Sequence, residues 1–94
     1  MRDDRFEWDD AKARANLKKH EVSFEAARLV FDDRGGIDEI EDRGEYSEDR
    51  FIAIGMVGGR LLTVAYTERN GRIRIISARK ATRREQDSYI IHNL

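Results

Sequence analysis

The second half of the chain carries a set of arginines that could bind phosphate. Between Arg50 and Arg84 eight of the nine basic residues are arginine, and Glu68 is the one acidic residue. A guanidinium group can hold a phosphate with two parallel hydrogen bonds, whereas a lysine ammonium offers a point charge. The alternative is that these arginines solvate strand edges and pair with carboxylates of the first half.

The composition narrows the chemistry further. The chain has no cysteine, which excludes a disulfide scaffold, a thiol enzyme and a zinc ribbon. Its two histidines lie far apart in sequence, which argues against a compact metal cage, so we expect chemistry without a metal or other cofactor. Residues 1–49 hold 9 basic and 16 acidic side chains, while residues 50–94 hold 9 basic and 3 acidic ones. A ligand with negative charge should therefore meet the second half.

The length and the apolar pattern predict one soluble domain spanning residues 1–94. The longest apolar run is Ile52 to Val57, far shorter than the roughly 20 residues of a membrane helix. The acidic start lacks the basic and apolar regions of a signal peptide. We therefore expect a cytoplasmic protein without membrane contact.

Two helices are predicted near the start of the chain, after a short strand at residues 6–8. An aspartate pair can cap the first, over residues 11–20, and Ser23 can cap the second, over residues 24–31. At the helical step of roughly 100° per residue, His20 falls at the edge of the first helix's apolar stripe. The second helix is apolar on most sides and should be largely buried.

Three strands are predicted in the second half, over residues 50–57, 60–67 and 72–78. They are separated by Gly58-Gly59 and by Asn70-Gly71. Both separators are typical of two-residue hairpin turns, in which glycine supplies a positive φ. The three strands should therefore form an antiparallel meander.

The remaining segments complete an α+β fold. Residues 32–49 carry nine acidic and two basic side chains, which fits a loop with at most one short strand. Thr82 and Glu85 have the spacing of a capping box, which predicts a helix over residues 82–93. We expect a small antiparallel sheet, the meander plus one or two short strands, covered by two N-terminal helices and one C-terminal helix.

The two turns also predict which side chains share a face of the sheet, because each step away from a hairpin turn adds one residue pair. One face should carry an apolar row that meets the helices: Phe51, Tyr66 and Ile75. The other face should carry the row Arg50, Thr67 and Arg74. These two arginines should need an anion between them, or a carboxylate from the acidic loop. The same count puts Ser77 and Arg79 on the apolar side.

Several segments together resemble the BrnT family of bacterial type II toxin-antitoxin toxins. The matching residues run in order along nearly the whole chain: FEWD at 6–9, Lys12, Asn16, Lys19-His20, VSFE at 22–25, Phe31, Arg50-Phe51, Gly55, Gly59-Arg60, Tyr66-Thr67, Arg69, RIISARKA at 74–81, Glu85 and Tyr89. The resemblance implies a RelE-like fold and a metal-independent ribonuclease that blocks translation. It also implies neutralisation by a BrnA-like, DNA-binding ribbon-helix-helix antitoxin, so that DNA is contacted only through the complex.

Two features depart from the family pattern. The loop over residues 32–49 is glycine-rich where relatives often carry proline. Glu21 stands where the family usually has a glycine that closes the first helix. The helix must then end in another kind of turn, or Glu21 must adopt a strained backbone conformation.

The arginine pattern and the resemblance together suggest roles for the candidate residues. RNA can be cleaved without metal when its own 2′-OH attacks the adjacent phosphate, which requires proton transfer and stabilisation of the phosphorane charge. His20 is the candidate proton carrier, since an unperturbed imidazole titrates near ~6.5, although it could instead interact with the end of its helix. The candidates for transition-state charge are Arg50, Arg74 and Arg79. The candidates for RNA binding are Lys19, Tyr66, Arg69, Arg72, Lys80, Arg83 and Arg84.

Two alternatives stay open on the sequence alone. Tyr66, like Trp8, could stack on an RNA base or simply pack in the core of a small domain. The chain as a whole could be a non-catalytic module that binds nucleic acid or protein. A binding module needs the arginine surface but not His20.

Overall fold

The computed structural model describes residues 1–42 and 49–94. Its strands are β1 Phe6–Glu7, β2 Ile37–Asp42, β3 Arg50–Val57, β4 Arg60–Arg69 and β5 Arg72–Lys80. Its helices are α1 Asp10–His20, α2 Phe24–Ala27 and α3 Arg83–His92, with a 3₁₀ helix at Arg28–Asp32 directly after α2.

The strands form one mixed sheet in the order β1-β5-β4-β3-β2. The predicted antiparallel meander is confirmed for β3, β4 and β5. The expectation of a wholly antiparallel sheet is wrong, because β1 pairs with β5 in parallel, Phe6 opposite Ile73 and Glu7 opposite Arg74. A two-residue strand that no hairpin joins to its partner leaves no turn signal from which its direction could be predicted.

The predicted element bounds are confirmed for β3 and lie within two residues for α1, α3 and the other two meander strands. The predicted helix over residues 24–31 is wrong in its second half, because α2 ends at Ala27 and the tighter 3₁₀ helix follows. That winding buries Val30 but leaves Leu29 46% exposed. β2 forms within the predicted acidic loop, whose residues 43–48 lie outside the described part.

The main core fills the space between one face of the sheet and the helices α1 and α2. Aromatic contacts join the predicted apolar row to the 3₁₀ helix. The Tyr66 ring meets Phe31 edge-to-face and stacks on Phe51, with ring centroids 5.1 and 5.4 Å apart. The buried members of this core are Phe6, Trp8, Val22, Phe24, Ala27, Val30, Ala53, Leu62, Val64, Tyr66, Ile75 and Ala78.

One extra residue in β5 changes which side chains share a face. Tyr66 pairs with Ile75 but Ala65 pairs with Ser77, so Ile76 forms a β-bulge. Beyond the bulge, Thr63 pairs with Arg79. The expectation that Ser77 and Arg79 lie on the apolar face is therefore wrong, since the extra residue moves both to the opposite face.

Helix α3 lies on that opposite face and covers one end of it. The Thr63 hydroxyl donates to Glu85 of α3 at 2.9 Å, and Ile54, the strand neighbour of Thr63, is 1% exposed. At the other end of the helix, the Tyr89 hydroxyl donates to Asp33 at 2.8 Å. The three helices thus lie on both sides of the sheet.

The buried side chain of Asn16 fastens α1 to the edge of β5. Its amide nitrogen donates to the carbonyls of Ala78 at 2.9 Å and Val22 at 3.0 Å. Its amide oxygen accepts from the Ala78 N–H at 3.1 Å. Asn16 therefore satisfies the backbone groups of β5 just after the bulge, where a neighbouring strand would otherwise be needed.

Helix α1 ends at a non-glycine residue in the left-handed conformation, so the strain expected for Glu21 is present. Glu21 has φ 59° and ψ 28°, in the left-handed region, and its N–H donates to the Leu17 carbonyl at 2.9 Å. A side chain in this region costs roughly 1–2 kcal/mol relative to a right-handed conformation. Glu21 thus supplies the usual helix-ending turn without glycine.

We predict that Asn16→Ala lowers the free energy of unfolding by about 3 kcal/mol. The substitution leaves the Ala78 N–H and two buried carbonyls without partners, and each such group costs roughly 1–3 kcal/mol. Urea denaturation followed by circular dichroism measures the change, with the exposed Lys18→Ala as the control on the same helix. A loss below about 1 kcal/mol would show that α1 is held by packing alone.

Candidate functional site

The row predicted from the hairpin turns is present on the sheet face opposite α1 and α2. Thr67 pairs with Arg74 in the strand register, and Thr67 Oγ1 donates to the Asp49 carbonyl at 2.8 Å. Arg50 is exposed at the start of β3 and makes no ion pair with residues 1–42 or 49–94. Arg74 Nη1 lies 2.8 Å from Glu7 Oε2. Within residues 1–42 and 49–94, a carboxylate of β1 therefore meets this row.

Arg79 is held on the same face by a two-pronged ion pair with α3. Its Nη1 and Nη2 donate to Oε1 and Oε2 of Glu85 at 2.7 and 3.0 Å. The Arg79 side chain remains 39% exposed, while that of Glu85 is 15% exposed. Parallel hydrogen bonds between a guanidinium and a carboxylate fix the orientation of both groups.

The surroundings of Glu85 hold it ionised. Burial raises the pKa of its carboxyl, but the Arg79 guanidinium, the Thr82 N–H and the Thr63 hydroxyl outweigh burial and lower that pKa to about 2. The same contact with Glu85 raises the pKa of Arg79. The pair therefore stays charged throughout the physiological pH range.

Arg74 and Arg79 occupy separate positions along β5. Four residues lie between them, one of them bulged, so their backbone positions are roughly 15 Å apart at ~3.3 Å per residue. Arg69 and Arg72 face each other two residues beyond the Thr67–Arg74 pair. We call the five arginines on this side of the sheet the arginine face: Arg50, Arg69, Arg72, Arg74 and Arg79. It is a set of separate cations along β4 and β5, joined by Arg50 at the start of β3.

The other predicted RNA-binding cations extend the arginine face or lie apart from it. Lys80 ends β5, and Arg83 and Arg84 open α3 just beyond it; all three are exposed. Arg83 pairs with Asp87 at 3.3 Å on the surface of α3. Lys19 is exposed near the end of α1, on a different element.

His20 is the last residue of α1 and is half-buried. It follows Asn16 by one helical turn and so lies on the same face of the helix. Since Asn16 binds Ala78, the residue before Arg79, this face of α1 is directed at the edge of β5. His20 lies one turn, roughly 6 Å, further along that face.

The two aromatic candidates lie in the core. Tyr66 is 6% exposed and Trp8 is 4% exposed. The Tyr66 hydroxyl donates to Asp38 at 2.9 Å, and burial together with this carboxylate raises its pKa. Neither ring has a free face for an RNA base, so both serve packing, the alternative left open by the sequence.

The described residues contain no group of three or more His, Cys, Asp or Glu side chains that could hold a metal ion. No helix in this part of the chain is long and apolar enough to span a membrane.

Sequence reasoning missed the two carboxylates that position the arginines. The sequence places Glu7 in a short strand and Glu85 in a helix cap, and both match the family pattern, but it indicates no role for either in positioning an arginine. The signal for Glu85 was the capping box itself, because the glutamate at its third helical position turns back towards the strand that precedes the helix. No comparable signal marks Glu7, which reaches Arg74 through the parallel pairing of β1 with β5.

The fold and the site define the chain as a small α+β domain with a row of arginines on one face of a mixed sheet. Residues 8–85 match the sequence model of a protein family, the ribonuclease toxin BrnT of type II toxin-antitoxin systems. The chain therefore belongs to this family, and a toxin of this kind has a cognate antitoxin. A search of curated proteins found no match.

We predict that Glu85→Gln makes the free energy of unfolding depend less on pH in the acidic range. The folded pKa of about 2 lies below the ordinary 4.5, so the ionised carboxylate stabilises the fold above pH ~4.5 and this contribution is lost as the pH falls towards ~2. Between pH ~5 and ~2 the wild type should lose up to about 3 kcal/mol more unfolding free energy than the variant. Urea titrations at several pH values measure it, and parallel curves for the two proteins would contradict it.

Proposed function

We propose that this chain is a metal-independent endoribonuclease that inhibits translation by cleaving RNA. The observation that carries the proposal is the arginine face: on a member of a ribonuclease toxin family, a set of cations on one side of the sheet suits a polyanion. A single RNA strand would run along β5, with successive arginines on different phosphates. Such contacts supply affinity without reading sequence.

The chemistry we propose is attack by the 2′-OH of RNA on the adjacent phosphate. His20 would carry the proton, as base for the 2′-OH or as acid for the leaving oxygen. The charge on the phosphorane would be stabilised by Arg50 and Arg74 at one position or by Arg79 at the other, since the two positions are roughly 15 Å apart. Arg79 directly follows Ala78, whose backbone binds Asn16 of α1, but its side chain lies on the sheet face opposite α1. RNA would therefore have to pass the edge of β5 to meet both His20 and Arg79.

The other cations would hold the RNA backbone. Arg69 and Arg72 form one end of the arginine face, and Arg83 and Arg84 of α3 extend it at the other end. Lys80 ends β5 on the opposite side of the strand, level with the core residue Leu62, and would contact RNA that passes the end of β5. Lys19, next to His20, would contact RNA only if the strand passes the end of α1. Tyr66 is left out of the proposed surface because its ring is buried.

The proposed partner is a BrnA-like ribbon-helix-helix antitoxin that binds DNA and brings this chain to DNA only indirectly. It would cover the arginine face with acidic and apolar side chains, because a complementary charge both guides association and blocks RNA. A RelE-like fold and a cytoplasmic location belong to the same proposal.

A non-catalytic binding module is the second candidate function. It is favoured by the carboxylate partners of two arginines, since Glu7 and Glu85 already neutralise part of the charge of Arg74 and Arg79. Such a module would still bind RNA but would not cleave it.

We predict that Arg74→Lys and Arg74→Ala reduce RNA cleavage by a similar factor of about 10²–10³, because both remove a planar donor from the transition state. For Arg84, lysine should replace arginine within about twofold. Raising salt from about 50 to about 200 mM should mimic Arg84→Ala, since a contact made only through charge is weakened by counterions. The measurement is cleavage of RNA by purified toxin in the presence of a chelator.

Circular dichroism of each variant controls for folding, and His20→Ala separates the two candidate functions. A binding module predicts no cleavage by the wild type and unchanged RNA affinity in His20→Ala. Full cleavage by folded Arg50→Ala and Arg74→Ala would rule out their assigned role, and cleavage that vanishes with the chelator would rule out the metal-independent mechanism.

A further inference from the structure

Both oxygens of Glu85 accept hydrogen bonds, three of them at Oε1. Oε1 accepts from Arg79 Nη1 at 2.7 Å, from the Thr82 N–H at 2.8 Å and from the Thr63 hydroxyl at 2.9 Å. Oε2 accepts from Arg79 Nη2 at 3.0 Å. These donors come from two strands and from the start of α3, so the carboxylate is fixed to the scaffold on several sides.

This arrangement uses three of the five N–H groups of the Arg79 guanidinium. Two donate to Glu85, and a second Nη1 hydrogen is directed at the Lys80 carbonyl at 3.3 Å. The two that have no acceptor among residues 1–42 and 49–94 are the N–H of Nε and the second N–H of Nη2. In a planar guanidinium these two lie on the same edge and point in the same direction.

We infer that Glu85 positions Arg79 so that its Nε–Nη2 edge forms a fixed, two-pronged binding site for a phosphate group of RNA. An edge with two parallel N–H groups matches two phosphate oxygens. Because Glu85 already holds the opposite part of the guanidinium, the edge needs no reorganisation when the phosphate arrives. This inference rests on the proposed ribonuclease function and concerns the phosphate at the Arg79 position, which is separate from the position of Arg50 and Arg74.

The other candidate arginines lack such a support. Arg74 has one hydrogen bond to Glu7, which leaves its guanidinium free to turn about that contact. Arg50 has no hydrogen bond or ion pair within the described residues. Among these three, Arg79 is the one whose orientation is set before RNA binds.

The test is steady-state cleavage of a short RNA by the full chain and its variants. Glu85→Gln keeps an oxygen that can accept from Thr82 and Thr63, but it places an amide NH₂ group against Arg79 Nη2. We expect kcat to fall by about 10- to 100-fold, the range typical when a group that orients a ligand is lost. Arg79→Lys keeps the positive charge but has no planar edge with two parallel N–H groups. It should therefore lose as much activity as Arg79→Ala. In the Arg79→Ala background, Glu85→Gln should cause no further loss.

The double variant separates positioning from a purely structural role, because damage to the fold would lower activity further in the Arg79→Ala background. The matched control is Asp87→Asn, which breaks the exposed ion pair between Asp87 and Arg83 within α3. Its activity should stay within about twofold of wild type. An active Arg79→Lys, or losses that multiply in the double variant, would overturn the inference. If Glu85→Gln does not fold, Arg79→Lys alone decides. A wild type that does not cleave RNA would instead overturn the proposed function.

Discussion

The position of a single extra residue in β5 decides how this molecule presents its charges. With Ile76 bulged out, the strand changes its alternation and Arg79 joins the face that carries Arg74. The bulge persists because the backbone of Ala78, just beyond it, is satisfied from the other side by the buried amide of Asn16. A helix side chain thus takes the place of a strand, and the same bonds hold α1, with His20 at its end, against β5.

Two arginines of the arginine face are paired with carboxylates from distant parts of the chain. Glu7 reaches Arg74 from the first strand, and Glu85 reaches Arg79 from the last helix. The segregation of acidic and basic residues along the sequence is therefore only partly kept in space. The positive charge of the arginine face is therefore reduced at two points, while the side chains of Arg74 and Arg79 stay partly exposed, at 27% and 39%.

Much of the fold was predictable because its signals are local. Gly58-Gly59 and Asn70-Gly71 fixed the meander and its register near each turn, and Thr82 with Glu85 marked the start of α3. The predictions failed where the cause is not local. The parallel pairing of β1, the bulge at Ile76 and the change to a 3₁₀ helix after Ala27 depend on contacts with elements distant in sequence. The row of Arg50, Thr67 and Arg74 was predicted correctly because the hairpin turns set its register. The face of Arg79 was predicted wrongly because counting residue pairs from the turn ran across the bulge.

The central claim is that RNA lies along the arginine face, and arginine side-chain NMR tests it most directly. Short RNA with 2′-O-methyl groups lacks the attacking hydroxyl and stays intact while the Nε–H signals of the 15N-labelled toxin are followed. The account predicts the largest shifts for Arg50, Arg72, Arg74 and Arg79, and none for Arg14 or Arg28, which lie on α1 and the 3₁₀ helix. Shifts confined to arginines outside the arginine face would contradict it.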